Sequence, residues 1–271
     1  MNWVVFCKIM EDMVVILADK VSNSFIVKEA KKLTYDSASN SSIKSFLIKI
    51  DKLEGSSQKA AALRYLGEVY EQKGEAQKAL KFFFQSVNLA KKFGDFETGG
   101  LCLLEVASIY SSIDKRNKST KYFIQSLKYL KKENSRKNSF AIESCYYRLI
   151  PDLLIENKPK IAKKYLDMAI RNSVFGAKYL CDTFRKFGYF YFNREDYINS
   201  LKYFKLALQL SANNVWNKGE VLSYLGWSLY YLRQFQKAKE CILAASAYLR
   251  YNKETRVSNI KYLNKINTYL S

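Results

Sequence analysis

Histidine is absent from all 271 residues. The side chain whose ordinary pKa lies nearest neutrality is missing, and with it the commonest metal ligand. Ser-His-Asp and Cys-His catalysis are excluded, as is any histidine-ligated zinc site. Proline occurs twice and glycine ten times, too few for a chain rich in tight turns. Acid is scarce: 25 Asp and Glu face 45 Lys and Arg, a formal net charge of +20. No apolar run approaches the roughly 18 residues of a membrane span. The opening stretch MNWVVFCKIMEDMVVILADK has short apolar runs broken by Glu11 and Asp12. It lacks the basic start and cleavage site of a secretory signal, so an amphipathic first helix is expected. The five cysteines (7, 102, 145, 181 and 241) are widely spaced and form no Cys-x-x-Cys pair. Buried free thiols in a reducing, cytoplasmic setting follow. No glycine-rich phosphate loop is present, since Gly99-Gly100 is not followed by the lysine such a loop needs. No enzyme and no cofactor is expected. What the chain does have, 48% hydrophobic and 15% aromatic residues, is enough for a packed core.

The chain repeats itself. Leu63, Leu66, Gly67 and Tyr70 share one helical face, a turn follows at Lys73-Gly74, and Ala79, Phe83 and Ser86 recur on a second helix. The skeleton returns at Leu103, Val106, Ala107 and Tyr110 with Ser119, Phe123 and Ser126. It returns at Tyr146, Leu149, Ile150 and Leu153 with Ala162, Leu166 and Ala169. Phe184, Phe187, Gly188 and Tyr191 with Ser200, Phe204 and Ala207 make the fourth copy. Leu222, Leu225, Gly226 and Leu229 with Ala238, Ile242 and Ala245 make the fifth. Equivalent positions lie 40, 43, 38 and 38 residues apart. Every second helix sets Ala or Ser on both sides of a bulky apolar residue. Four first helices set Gly or Ala beside their stripe, and Ile150 is the exception. Small side chains at fixed places let two antiparallel helices pack closely.

This pattern resembles the tetratricopeptide repeat, whose signature is W-x2-L-G-x2-Y, then A-x3-F, then a proline. The resemblance covers residues 60–250. Two features depart from it. The period exceeds the family's roughly 34 residues, and Lys91, Lys131, Val174, Ala212 and Arg250 stand where the proline would be. The second helices are expected to run on, and Ala90-Lys-Lys-Phe-Gly-Asp95 looks like the longer variety of bacterial sensor proteins and kinesin-light-chain-type scaffolds. The resemblance implies an all-α, right-handed helical-hairpin solenoid. Residues 1–56 are expected as a divergent helical cap with a loop at Tyr35–Ser42. The five repeats fall at about 60–99, 100–142, 143–180, 181–218 and 219–251, with a capping helix over 252–271. Val257, Ile260, Leu263, Ile266 and Leu270 form that last helix's apolar stripe. Pro151 predicts a kink or a displaced helix start in copy three.

By the same resemblance, first helices line a concave face that takes a peptide or helix. The implied groove residues are Arg64, Glu68, Leu104, Ser108, Tyr147, Arg185, Tyr189, Phe192, Asn193, Trp227 and Tyr230. Tyr179 to Tyr231 holds 15 of the chain's 41 aromatic residues. Such rings supply apolar area, with Asn193 for a peptide backbone and Arg185 for a carboxylate. The competing reading packs the rings on a neighbouring copy or a folded-back cap. A protein-interaction scaffold is therefore expected, with a signalling-peptide sensor as its rival and a homodimer allowed.

Charge is uneven. Residues 1–55 hold 8 basic and 7 acidic residues, while 115–140 hold nine basic residues against Glu133. Lys121, Lys128, Lys131 and Lys132 belong to a second helix and its extension, on the side away from the groove. A nucleic-acid-associated role follows if that charge is functional. No base-reading motif accompanies it, and solvated lysines are the simpler account.

Overall fold

The computed structural model describes residues 26–33, 39–53, 55–132, 138–172, 176–210, 215–249 and 252–271. Among them are thirteen helices and no strand. The helix expected over residues 1–20 with Cys7, residues 35–38 of the expected loop and residues 133–137 of the basic run lie outside the described residues. The chain forms two compact units, Met1–Leu149 and Ile150–Ser271.

Residues 26–33 form α1, followed by α2 (Asn40–Asp51). The first two hairpins are α3 (Ser57–Gln72) with α4 (Ala76–Phe93) and α5 (Phe96–Ser112) with α6 (Arg116–Leu130). Helix α7 (Ser139–Ile155) precedes α8 (Pro159–Arg171). Two further hairpins are α9 (Ala177–Phe192) with α10 (Tyr197–Leu210) and α11 (Val215–Tyr231) with α12 (Phe235–Ser246), and α13 (Lys253–Leu270) ends the series. Each first helix begins three or four residues ahead of the expected copy boundary. Helix α7 runs through Pro151, so no displaced start is found there.

One local device makes all five turns. Gly74, Asp114, Asn157, Glu195 and Arg233 each take positive φ, between 57° and 74°. The next N–H then bonds back five residues, Glu75 to Tyr70 and Lys115 to Tyr110 at 2.8 Å. The same bond joins Lys158 to Leu153, Asp196 to Tyr191 and Gln234 to Leu229. This left-handed C-terminal cap satisfies otherwise orphaned carbonyls. Its five residues repeat at the spacing of the sequence pattern. Asp and Asn tolerate this conformation, whereas Glu195 and Arg233 pay about 1 kcal/mol each for it.

The small-bulky-small code works as a close fit. All ten small second-helix residues are fully buried, from Ala79 and Ser86 to Ala238 and Ala245. A Cβ on Gly67 would lie 2.5 Å from the Phe83 ring, and one on Gly188 2.7 Å from that of Phe204. Buried serines stay satisfied: Ser86 Oγ donates to the Ala60 carbonyl at 2.7 Å and Ser126 Oγ to that of Gly100 at 2.6 Å.

In the N-terminal unit, Ile26, Ala30, Ile43, Phe46 and Ile50 bury against Leu63, Leu66 and Val69 of α3. The expected loop ends early, because Ser39 caps α2 and Asn40–Ser42 are already helical. Successive hairpins meet through small first-helix residues. Cys102 Sγ lies 3.1 Å from Ser86 Oγ, and Cys145 Sγ lies 3.2 Å from Ser126 Oγ. Ala62, Cys102, Cys145, Thr183 and Val221 share this register, and all five are buried. Cys102, Cys145 and Cys181 are buried free thiols. Burial pushes the thiols of Cys102 and Cys145 up to about 12, which keeps them inert.

In the C-terminal unit, Ala162, Leu166 and Ala169 of α8 are buried, as are Ile150, Leu153 and Leu154. Tyr191 stacks on Tyr203 at 5.6 Å. Helix α13 starts at Lys253, 38 residues after Val215, and so repeats the register of a first helix. It docks through Thr255, Asn259 and Ile266. The expected apolar stripe is mostly outside: Val257 is 45% exposed, Ile260 56% and Leu270 44%. The reason is register. Asn259 takes the inter-hairpin place of Val221, while Ile260 corresponds to Leu222, which packs on Ala245 of its own second helix.

Candidate functional site

The first helices of the N-terminal unit bring charged and hydroxyl side chains together. Arg64 and Glu68, one turn apart on α3, form an ion pair. Arg148 of α7 donates to Ser108 Oγ of α5 at 2.7 Å, and Ser108 donates onward to the Leu104 carbonyl at 2.9 Å. Glu71 of α3 and Glu105 of α5 complete the set. Burial raises the Glu71 carboxyl, with Glu105 and Glu68 adding to it and Arg148 opposing, up to about 7. Burial also raises Glu105 and Glu68, against the pull of Arg148 on the first and Arg64 on both. Three half-buried carboxylates share two guanidiniums, and at Glu71 burial first, then the like charges of Glu105 and Glu68, outweigh the pull of Arg148.

Of the residues expected here, Arg64, Glu68 and Ser108 belong to this cluster. Leu104 is buried at 6% exposure and lends its carbonyl, not its side chain. Tyr147 is half-buried on α7. Glu71, Glu105 and Arg148 were not among the expected residues. Glu105 and Arg148 sit one position after Leu104 and Tyr147, and share their own register 43 residues apart. Charge recurring beside the chosen register was the available signal.

The C-terminal unit treats its first-helix face differently. Arg185 donates to Asp182 at 2.9 Å and to Glu220 at 3.4 Å, so its guanidinium is held by carboxylates of its own chain. Tyr189 packs edge-on against Tyr224 at 4.7 Å and Phe204 at 5.3 Å. Phe192 meets Tyr224, Trp227 and Tyr231. Asn193 is exposed at the C-cap of α9. Trp227 and Tyr230, expected to face an open groove, are covered by α13. The indole of Trp227 donates to Asn259 Oδ1 at 2.9 Å, and the Tyr262 ring stacks on it at 5.3 Å. Asn259 Nδ2 in turn donates to Ser223 Oγ at 2.9 Å. Tyr230 contacts Tyr262 and Tyr269 of the same helix. A buried indole with its N–H satisfied is a packing element.

Comparison with solved structures places this arrangement of hairpins. YrrB, described as a TPR protein with an unusual peptide-binding site, superposes with a TM-score of 0.58 at 14% identity, over 79% of this chain and 97% of its own. The chain has the tetratricopeptide-repeat (TPR) fold. BtubC (BKLC) from P. vanneervenii matches with a TM-score of 0.57 at 17% identity, over 84% of this chain and 88% of that one. The apo form of the quorum sensor NprR from B. thuringiensis matches with a TM-score of 0.58 at 15% identity, over 98% of this chain and 74% of its own. No protein-family model and no curated protein matches the chain. Among the described residues, no helix of this TPR chain is long and apolar enough to cross a membrane.

Proposed function

We propose that the chain is a protein-interaction scaffold, and that it takes a peptide or helix carrying Lys or Arg on the first-helix face of its N-terminal unit. The observation that carries this is the convergence of Glu68 and Glu71 of α3 with Glu105 of α5, where among the described residues Arg64 and Arg148 are the cations that act on them. A bound ammonium or guanidinium supplies the missing positive charge and forms charge-assisted hydrogen bonds. The receptor side chains sit on packed helices, so little ordering entropy falls on the protein. The likeness to a peptide-binding TPR protein supports the class of ligand, not its identity.

The test is selection of a random displayed-peptide library on the full chain, followed by affinity measurements on Glu71→Gln with Glu105→Gln. Cationic peptides are expected to emerge and to lose about tenfold or more in affinity for the double variant, as hot-spot contacts do. Selected peptides that bind both proteins equally, or that lack basic residues, refute the assignment. A sensor reading has its own support in the likeness to NprR across 98% of this chain. It differs in requiring the ligand to change the conformation, which small-angle scattering with and without the selected peptide detects.

A further inference from the structure

The two kinds of helix divide the charge between them. In the N-terminal unit, second helices α4 and α6 carry eight Lys and Arg and no Asp or Glu, while first helices α3 and α5 carry two basic and four acidic residues. The basic residues are also in register. On α4, Lys78, Lys81, Gln85, Asn88 and Lys92 follow one another at steps of three and four, and all five are exposed. Forty residues later, Lys118, Lys121, Gln125, Lys128 and Lys132 repeat the series along α6 and just past its end. Steps of three and four keep each series on one helical face. Both helices pack on α5, and they approach each other where the Phe84 and Tyr122 rings lie 5.6 Å apart.

Such a face has an electrostatic cost, because like charges one turn apart repel. Rings relieve part of it: Lys132 lies over Phe96 at 4.2 Å, Lys118 over Tyr110 at 5.2 Å and Lys121 over Tyr122 at 5.8 Å, while Lys78 pairs with Glu75 and lies over Tyr70, and Lys92 lies over Phe93. Among the described residues, Lys81, Lys121 and Lys128 form no ion pair. A stripe of fifteen residues, fourteen steps of 1.5 Å, is about 21 Å long. A duplex segment of that length carries about twelve phosphates. The stripes hold Lys, Gln and Asn and no apolar side chain. An inserting membrane-surface helix needs an apolar side, a wholly electrostatic one is the vesicle outcome of the test below, and a protein interface centres on a buried apolar or aromatic anchor. A phosphate backbone needs neither. Lysine ammonium groups act on phosphate as point charges, without the forked geometry that reads bases.

We infer that the α4–α6 face binds nucleic acid through its phosphate backbone, independently of sequence. This surface is separate from the peptide-binding residues proposed above and does not depend on them.

Fluorescence anisotropy of labelled 20-base-pair duplexes, titrated with the full chain from 50 to 200 mM salt, tests it. One variant carries Lys81, Lys118, Lys121 and Lys128→Gln. A control removes the same charge elsewhere, with Lys160, Lys163, Lys237 and Lys239→Gln. The wild-type chain is expected to bind duplexes of unrelated sequence alike. The stripe variant should lose at least about tenfold in affinity, and its salt slope should fall by about three to four, near 0.9 per lost phosphate contact. The control should stay within about twofold. Equal losses in both variants reduce the effect to net charge and overturn the inference. So does absence of duplex binding by the wild-type chain at 50 mM salt. So too does stronger retention on vesicles of phosphatidylserine and phosphatidylcholine than on duplex, with the same dependence on the stripe.

Discussion

The two units use one packing code and finish their first-helix faces in opposite ways. In the N-terminal unit that face carries Arg64, Glu68, Glu71, Glu105 and Arg148, charges only partly matched among themselves. In the C-terminal unit it carries Tyr189, Phe192, Trp227 and Tyr230, and α13 lies over the last two. Aromatic richness, which in a sequence suggests a binding surface, here marks the surface that the chain binds itself. Half-buried carboxylates that outnumber the guanidiniums beside them are the feature on which the proposed ligand rests. Uncompensated carboxylates cost stability, while stacked rings need nothing further.

The largest test of this contrast is Trp227→Ala. It removes a buried ring and strands Asn259, so stability in urea unfolding should drop by about 3 kcal/mol or more. Peptide affinity at the N-terminal unit should hold. Loss of affinity with stability intact would return the binding surface to the C-terminal unit.

A smaller effect concerns pH. Glu71 holds its proton up to about 7 in the folded chain, against 4.5 ordinarily. Between those values the folded state binds more protons than the unfolded one, so this group's contribution to stability falls as pH rises through that window. A cationic ligand favours the ionised form. Its affinity should climb between pH 6 and pH 8, by up to about tenfold for one pKa unit on either side. Glu71→Gln should flatten the profile in isothermal titration. A flat wild-type profile would remove Glu71 from the site.

The smallest effect distinguishes the turns. Gly74 and Asp114 take positive φ in the N-terminal unit at low cost, whereas Glu195 and Arg233 do so against their side chains. Arg233→Gly should raise stability by about 1 kcal/mol, and Gly74→Ala should lower it by a similar amount. Thermal unfolding reads both, and equal responses would show that the turns do not differ.

Much of this was legible in the sequence because the hairpin code is local. Ala79, Phe83 and Ser86 and their four successions fix which faces meet, and Gly67 and Gly188 mark where rings enter. The expected TPR-type hairpins follow from that alone. The site was harder to read. Glu105 and Arg148 lie one position off the register chosen from single hairpins, and their meaning comes from neighbours 40 or so residues away in sequence. The covering of Trp227 depended on Asn259 and Tyr262, and on a polar docking face for α13. An apolar stripe of Val257, Ile260 and Leu270 points attention to the wrong side of that helix.

The junctions between hairpins in the N-terminal unit carry a further consequence. Cys102 and Cys145 sit where one hairpin presses on the next, each touching a serine of the preceding second helix. Neither thiol is exposed while the junction is shut. Alkylation of each, followed residue by residue in a mass spectrometer, therefore clocks how often its own seam parts. The chain carries a pair of native gauges for separation between adjacent repeats, with no label introduced.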